Sequence, residues 1–81
     1  MHYFVITAYH DGVLTSVHHF KTMDCNSTPI HKYIRAMITP DTMMTEHIGP
    51  RRAKALPVDW LTVPAEFAQA LARVAATERS V

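Results

Sequence analysis

The chain has 81 residues and a mass of 9.2 kDa, so we expect one small domain over residues 1–81. A composition that is 48% hydrophobic and 19% charged is too apolar for a disordered tail and too irregular for a coiled coil or collagen. The net charge of +1 excludes the strong basicity of a dedicated DNA-coating protein and the acidity of a DNA mimic.

Cysteine content and hydropathy indicate the cellular compartment in which we expect the protein. Cys25 is the only cysteine, so the chain can form neither an internal disulfide nor a cysteine-rich zinc site. The apolar run at the N-terminus has no preceding basic residue and is too short for a signal sequence. No stretch of 18 apolar residues is present, which excludes a membrane-spanning helix. We therefore expect a cytoplasmic protein with no membrane partner.

Residues 1–21 are predicted to form a β-hairpin. Two stretches rich in β-branched and aromatic residues flank Asp11-Gly12, the dipeptide that a two-residue type I′ turn prefers because both of its central positions need a positive φ. A regular hairpin around this turn places Phe4 opposite His19. Neither face of such a hairpin is polar throughout, so each face needs a cover or a partner.

Two helices are predicted, over residues 29–38 and 64–79. Thr28 followed by Pro29 is typical of a helix start, and the apolar residues after it recur at i, i+4, i+7 and i+8. The second helix begins at Pro64, and its alanines favour the helical state.

The segments around these helices are less regular. Residues 42–48 are predicted to be a short helical segment that ends at Gly49-Pro50, and residues 58–63 are either a third short strand or an extended lead into the next helix. The predicted fold is therefore α+β, with an N-terminal β-hairpin packed against two helices and a short helical or loop segment between them.

The histidines invite a metal hypothesis, because there are six of them. A transition metal needs three or four donors that converge on one point, and the sequence has no His pair at helical spacing and no Cys-x-x-Cys motif. The best set that the hairpin offers is His2, His18 and His19 with Cys25. We expect these residues to be ordinary surface groups and the protein to hold no metal and no cofactor.

Catalytic motifs are absent as well. The sequence has no Gly-x-Ser-x-Gly elbow, no paired-carboxylate signature and no phosphate-binding glycine loop. A chain of this length also has little material with which to enclose a substrate pocket. We therefore expect that the protein is not an enzyme, and a small metal- or ligand-binding enzyme is the third hypothesis for its function.

Charge is concentrated in the middle of the chain. Residues 31–54 contain five cations against Asp41 and Glu46, a net charge of +3. Such a cluster is either a basic patch that contacts phosphates or an acidic protein surface, or an ordinary solvated helix face and loop. Met43 and Met44 lie within the same stretch and are suited to irregular apolar contacts. The candidate partner-binding residues are therefore Lys32, Arg35, Arg51, Arg52, Lys54, Met43 and Met44.

These observations favour a small non-enzymatic module, an adaptor or inhibitor, that binds a protein with an acidic surface. In size and lack of catalytic motifs the chain is similar to phage- or plasmid-borne inhibitors of host defence, including anti-CRISPR proteins, a likeness that implies inhibition by surface binding. The alternative is a nucleic-acid-binding regulator in which residues 29–56 act like a helix-turn-helix. We also expect a homodimer joined through strand edges or sheet faces. The hairpin has apolar side chains on both faces, and its predicted strands, Tyr3 to Tyr9 and Val13 to Phe20, contain no protective Lys or Pro.

Overall fold

The computed structural model describes residues 1–79, with side chains described for residues 1–74. Three strands form one antiparallel sheet in the order β2-β1-β3. The α+β class is confirmed, with the hairpin at the N-terminus. Ser80 and Val81, the end of the predicted domain, lie outside the described residues. The elements are β1 (His2–His10), β2 (Val13–Thr22), α1 (Thr28–Ile38), β3 (Thr42–Ile48), α2 (Pro50–Ala55) and α3 (Ala65–Arg79).

The hairpin turn forms as predicted, but its register does not continue as expected. Asp11 and Gly12 have φ values of 51° and 76°, as a type I′ turn requires. Beyond the first two pairs, Thr15 is an additional residue that forms a β-bulge in β2. The bulge shifts every later pair by one residue, so Phe4 lies opposite Phe20, and the predicted pairing with His19 is wrong.

This shift decides which residues of β2 enter the core. Directly opposed residues of an antiparallel pair share a face, and a slip of one residue exchanges the faces. Phe20 therefore joins Phe4 on the face that α1 covers, whereas Val17 lies opposite Thr7 on the other face. The bulge thus places Phe20 in the core and the smaller Val17 on the opposite face.

Residues 42–48 form strand β3 and not the predicted helical segment. Pro40 and Pro50 bound this stretch, and a helix of seven residues is marginal on its own. As a strand, the same residues pair with β1 from Tyr3–Ile48 to Tyr9–Thr42, which satisfies the backbone groups of the central strand. Pairing with β1 therefore outweighs the weak local preference of residues 42–48 for a helix.

Helix α1 covers one face of the sheet, which we call the covered face. The helix ends at Ile38, where the sequence predicts its end, and Thr39 closes it in the left-handed conformation with φ 42°. Helix α3 reaches the sheet indirectly, because its Phe67 ring contacts the Tyr33 ring of α1 edge-on at 5.1 Å. The buried core cluster consists of Phe4, Ile6, Phe20, Ile30 and Ile34.

Residues 58–63 follow the outer edge of β2 without forming a strand. Leu61 makes a single parallel bridge with Phe20. The Leu61 N–H donates to the carbonyl of His19 at 3.0 Å, and the Lys21 N–H donates to the carbonyl of Leu61 at 2.8 Å. Of the two alternatives that the sequence leaves open, the extended lead into α3 describes this segment better.

Candidate protein-binding surface

The second face of the sheet is only partly covered. Side chains alternate between the faces of a strand, so Val5, Thr7 and Tyr9 of β1 point away from α1. Their partners on the two outer strands extend this surface, and the apolar ones are well exposed: Leu14 by 52%, Val17 by 45% and Met44 by 61%. We call this surface the open face; it consists of Val5, Thr7, Tyr9, Leu14, Val17 and Met44.

One end of this second face is closed by α2 and the segment that follows it. The Trp60 ring contacts the rings of Tyr3 and His19 edge-on, with centroids 5.1 and 5.3 Å apart. The Trp60 indole N–H donates to the carbonyl of Ala53 at 3.2 Å. Ile48 and Ala53 are buried beneath this cap. Trp60 therefore anchors α2 on the sheet. The open face lies beyond Tyr3 and His19, the two residues that Trp60 covers.

The basic patch that the sequence suggests is divided in the structure. Lys32 and Arg35 are exposed on α1, above the covered face. Glu46 lies opposite Val5 on the other face, and the Arg52 guanidinium binds its carboxylate at 3.1 Å, which places α2 on that side. The sheet therefore separates the two groups of cations, and a single contiguous patch over residues 31–54 is not formed.

The cations of α2 border the open face. Arg51, Arg52 and Lys54 are all exposed, and three cations in a six-residue helix form a dense positive group. Arg52 is neutralised by Glu46, whereas Arg51 and Lys54 have no acidic partner within the described part of the chain. This edge of the open face therefore carries positive charge that is free to meet an acidic surface.

The two methionines also point in opposite directions. Met43 lies opposite Ala8 on the covered face, where it packs against the core cluster. Met44 lies opposite Thr7 and is exposed on the open face. A cavity of about 280 Å³ beside Met44 is lined by Val5, Tyr9 and Glu46 among others. Of the two methionines that the sequence proposes, the structure leaves Met44 available to a partner.

The predicted helix-turn-helix is wrong. Between α1 and α2 the chain forms β3, and the two helices lie on opposite faces of the sheet. A helix-turn-helix needs two helices joined by a short turn so that the second one enters the major groove. Residues 29–56 do not offer that arrangement.

The structure does not bring together the histidine and cysteine set considered from the sequence, because His2 and His18 lie on the covered face and His19 on the other. His18 and His19 point to opposite faces, as neighbours in a strand must, and Cys25 is exposed in the connection to α1. The nearest pair is His2 and His47, whose Nδ1 and Nε2 atoms are 3.3 Å apart. Two imidazoles supply fewer donors than a metal site needs.

Two histidines on the covered face have lowered pKa values. Burial, with a smaller contribution from His19, lowers the pKa of His18, whose Nε2 atom lies 2.9 Å from the Ser16 hydroxyl. Burial, with a smaller contribution from Arg35, lowers the pKa of His31. Both pKa shifts favour the neutral imidazole over the charged one. The described residues show no carboxylate that orients His18, so the Ser16–His18 pair does not form a catalytic triad.

One group of metal-ligand residue types does come together in the described part of the chain: His10, Asp11 and Asp41. All three are exposed, and their polar groups bind one another. The Asp41 carboxylate accepts the Asp11 N–H at 2.9 Å and lies 3.2 Å from His10 Nδ1, while the Asp41 N–H donates to the carbonyl of Tyr9 at 3.0 Å. These contacts fasten the hairpin turn to the start of β3.

The sequence points to α2 and Met44 but misses the rest of the open face. Val5, Tyr9 and Val17 look like core residues in a two-stranded hairpin. Only the bulge at Thr15 and the covering of the other face by α1 reveal that Val17 is exposed and that Val5 and Tyr9 are half-buried on the second face. The one sequence pattern that points to this exposed surface is that neither face of the predicted hairpin is polar throughout.

No protein-family model, curated protein or solved structure matches the chain. No helix in the described residues is long and apolar enough to cross a membrane.

Proposed function

We propose that the protein is a small non-enzymatic binding module, an adaptor or inhibitor, that covers a protein partner with the open face and the cations of α2. The partner has an apolar centre and an acidic rim. The observation that carries this proposal is an exposed apolar sheet face with α2 on the same side of the sheet. Arg51 and Lys54 of α2 have no acidic partner among the described residues. An apolar centre with a charged rim is the usual organisation of a protein–protein interface.

The size of the open face indicates that α2 must take part. Three strands about 4.8 Å apart and about six residues long give roughly 300 Å² of flat sheet. A standard complex buries about 800 Å² on each partner. The open face is therefore too small to support a stable complex alone, and the nearest surface that can extend it is the exposed side of α2.

The charge of the rim favours an acidic protein over a nucleic acid. Arg51, Arg52 and Lys54 neutralise at most about three phosphates, too few for tight binding at physiological salt. Sheet faces that bind RNA stack two or three bases on aromatic rings, but Trp60 covers Tyr3 and leaves Tyr9 as the one aromatic ring of the open face. An apolar surface with few cations suits a protein better.

Selection from a displayed library of random 12-residue peptides tests this proposal. The wild-type protein is expected to enrich peptides that combine Asp or Glu with Leu, Ile, Phe or Trp. Enrichment of basic peptides, or of no consensus, would contradict the proposal. Tight binding of single-stranded or duplex oligonucleotides in the same buffer would favour a nucleic-acid function instead.

The two separated groups of cations supply a matched control. The double variants R51E/K54E and K32E/R35E change the net charge equally but on opposite sides of the sheet. We expect R51E/K54E to weaken binding of the selected peptide at least about tenfold, a change of roughly 1.4 kcal/mol, and K32E/R35E to leave it within about threefold. Equal losses would mean that net charge, and not the α2 rim, drives binding.

A further inference from the structure

Of the two edges of the described sheet, the outer edge of β3 is the less protected, and we propose that it pairs with β3 of a second copy of the chain. The pairing is antiparallel and centred on Thr45. It produces a six-stranded sheet of order β2-β1-β3 followed by β3-β1-β2 of the second copy. This inference does not depend on the proposed function.

The contrast between the two sheet edges carries the argument. Proteins blunt free edges with bulges, lysines or a covering segment. The β2 edge has all three: the bulge at Thr15, Lys21, and the hydrogen bonds to Leu61. The β3 edge has none of them within the described residues, and five of its seven residues are exposed. The structure thus protects one edge and leaves the other able to pair.

The prolines that flank β3 define the length of the contact. Pro40 and Pro50 have no N–H to donate, so the ladder is confined to Thr42–Ile48. Seven residues at about 3.4 Å each make a ladder of roughly 24 Å. In an antiparallel arrangement this length supplies about six to eight backbone hydrogen bonds between the copies.

Charge selects the register. Pairing centred on Glu46 would place two carboxylates directly opposite each other, which is destabilising. Pairing centred on Thr45 uses all seven residues and places Glu46 opposite Met44 of the second copy. The two Glu46 residues are then diagonal neighbours about 7–8 Å apart, and each already binds Arg52 of its own chain. The central pair is Thr45 with Thr45, a favourable cross-strand combination.

The symmetry of this dimer has a consequence for the open face. A two-fold axis perpendicular to the sheet relates the two β3 strands, so the open faces of both copies lie on the same side. The dimer therefore presents one continuous surface with an α2 helix on each half. Pairing through the edge leaves that surface exposed, whereas face-to-face packing would bury it.

Cross-linking and mass measurement test the edge and the register together. In a C25S background, which removes the one free thiol, T45C is expected to form a disulfide dimer on mild oxidation. Directly opposed residues of an antiparallel pair have Cα atoms about 4.5–5.5 Å apart, which lies within the range of about 4.4–6.8 Å that a disulfide spans. The control T42C is expected not to cross-link, because the two Thr42 residues would be separated by about six residues, roughly 20 Å. A T42C dimer without a T45C dimer would overturn the register.

Light scattering supplies the second readout. The wild-type protein is expected at twice the chain mass of 9.2 kDa at micromolar concentration. T45K places two lysines directly opposite each other and should raise the dissociation constant at least about tenfold, whereas T42K should leave the dimer intact. If T45K does not fold, the cross-linking result decides the question. A strictly monomeric wild type, or a dimer that a folded T45K leaves unchanged, would overturn the proposal.

Discussion

The two faces of the sheet have the same strands but opposite surroundings. On the covered face, the side chains of Phe4, Ile6 and Phe20 are almost wholly buried beneath α1. On the open face, Val17 and Met44 remain exposed although they are as apolar as many core residues. Under the proposed function, stability and recognition are carried by different surfaces of one small sheet.

The largest expected effect comes from a cavity on the covered side. Ile34→Ala removes a side chain that is 0% exposed and should destabilise the protein by about 2–5 kcal/mol. Domains typically have a stability of about 5–15 kcal/mol, so this single change removes a large fraction of the total. Urea denaturation measures the loss. A change below 1 kcal/mol would show that α1 is not firmly packed on the sheet.

Trp60 marks the boundary between the closed and open parts of the second face. Trp60→Phe retains an aromatic ring against Tyr3 and His19 but removes the hydrogen bond to the carbonyl of Ala53. The expected loss of stability is about 1 kcal/mol, measured by urea denaturation. The variant should also bind more of a dye such as anilinonaphthalene sulfonate, because α2 is held less tightly. An unchanged stability would indicate that α2 has another anchor.

Backbone strain at the end of α1 permits a stabilising change. Thr39 is β-branched yet has a φ of 42°, a conformation that costs roughly 1–2 kcal/mol and that asparagine tolerates better. Thr39→Asn should therefore raise the free energy of unfolding by about 0.5–1 kcal/mol. A rise in the melting temperature would support backbone strain at Thr39. A fall would show that the Thr39 side chain makes a contact that compensates for the strain.

The covered face also predicts the direction of the pH dependence. Burial lowers the pKa of His18 and His31 from the ordinary value of 6.5, so the unfolded chain binds more protons than the folded one just below that pH. Stability should therefore decline as the pH falls through 6.5 and approach a plateau above it. Melting temperatures between pH 7.5 and 5 test this prediction. The double variant H18Q/H31Q should show a shallower decline, and an identical decline would contradict the assignment.

The smallest effect on stability is expected on the open face. Val17→Thr and Met44→Gln each exchange an exposed apolar side chain for a polar one of similar size and should change the free energy of unfolding by no more than about 0.5 kcal/mol. The same variants should weaken binding of the selected peptide, because they make the centre of the proposed interface polar. Loss of stability comparable with Ile34→Ala would show that these side chains belong to the core.

Local patterns in the sequence predict the hairpin turn, both long helices and the exposure of the α2 cations. Each of these depends on neighbouring residues: Asp11-Gly12 for the turn, and Thr28 and Pro29 for the start of α1. The bulge at Thr15 and the pairing of β3 depend on contacts between distant segments, and no local pattern indicates them.

The candidate site is predictable to a similar extent. The basic character of α2 follows from its composition alone, but its separation from Lys32 and Arg35 requires the position of the intervening strand. Met43 and Met44 are indistinguishable in the sequence when residues 42–48 are treated as helical. Only the alternation of a strand sends one into the core and the other to the surface.

The two methionines offer the most direct test of the account. In protein labelled with ¹³C at the methionine methyl groups, with the signals assigned from M43L and M44L, the selected acidic-apolar peptide is added stepwise. Binding through the open face predicts that the Met44 signal shifts or broadens while the Met43 signal, on the covered face, stays in place. A shift of Met43 alone, or saturable binding that leaves Met44 unmoved, would contradict the proposal that the open face is the binding surface.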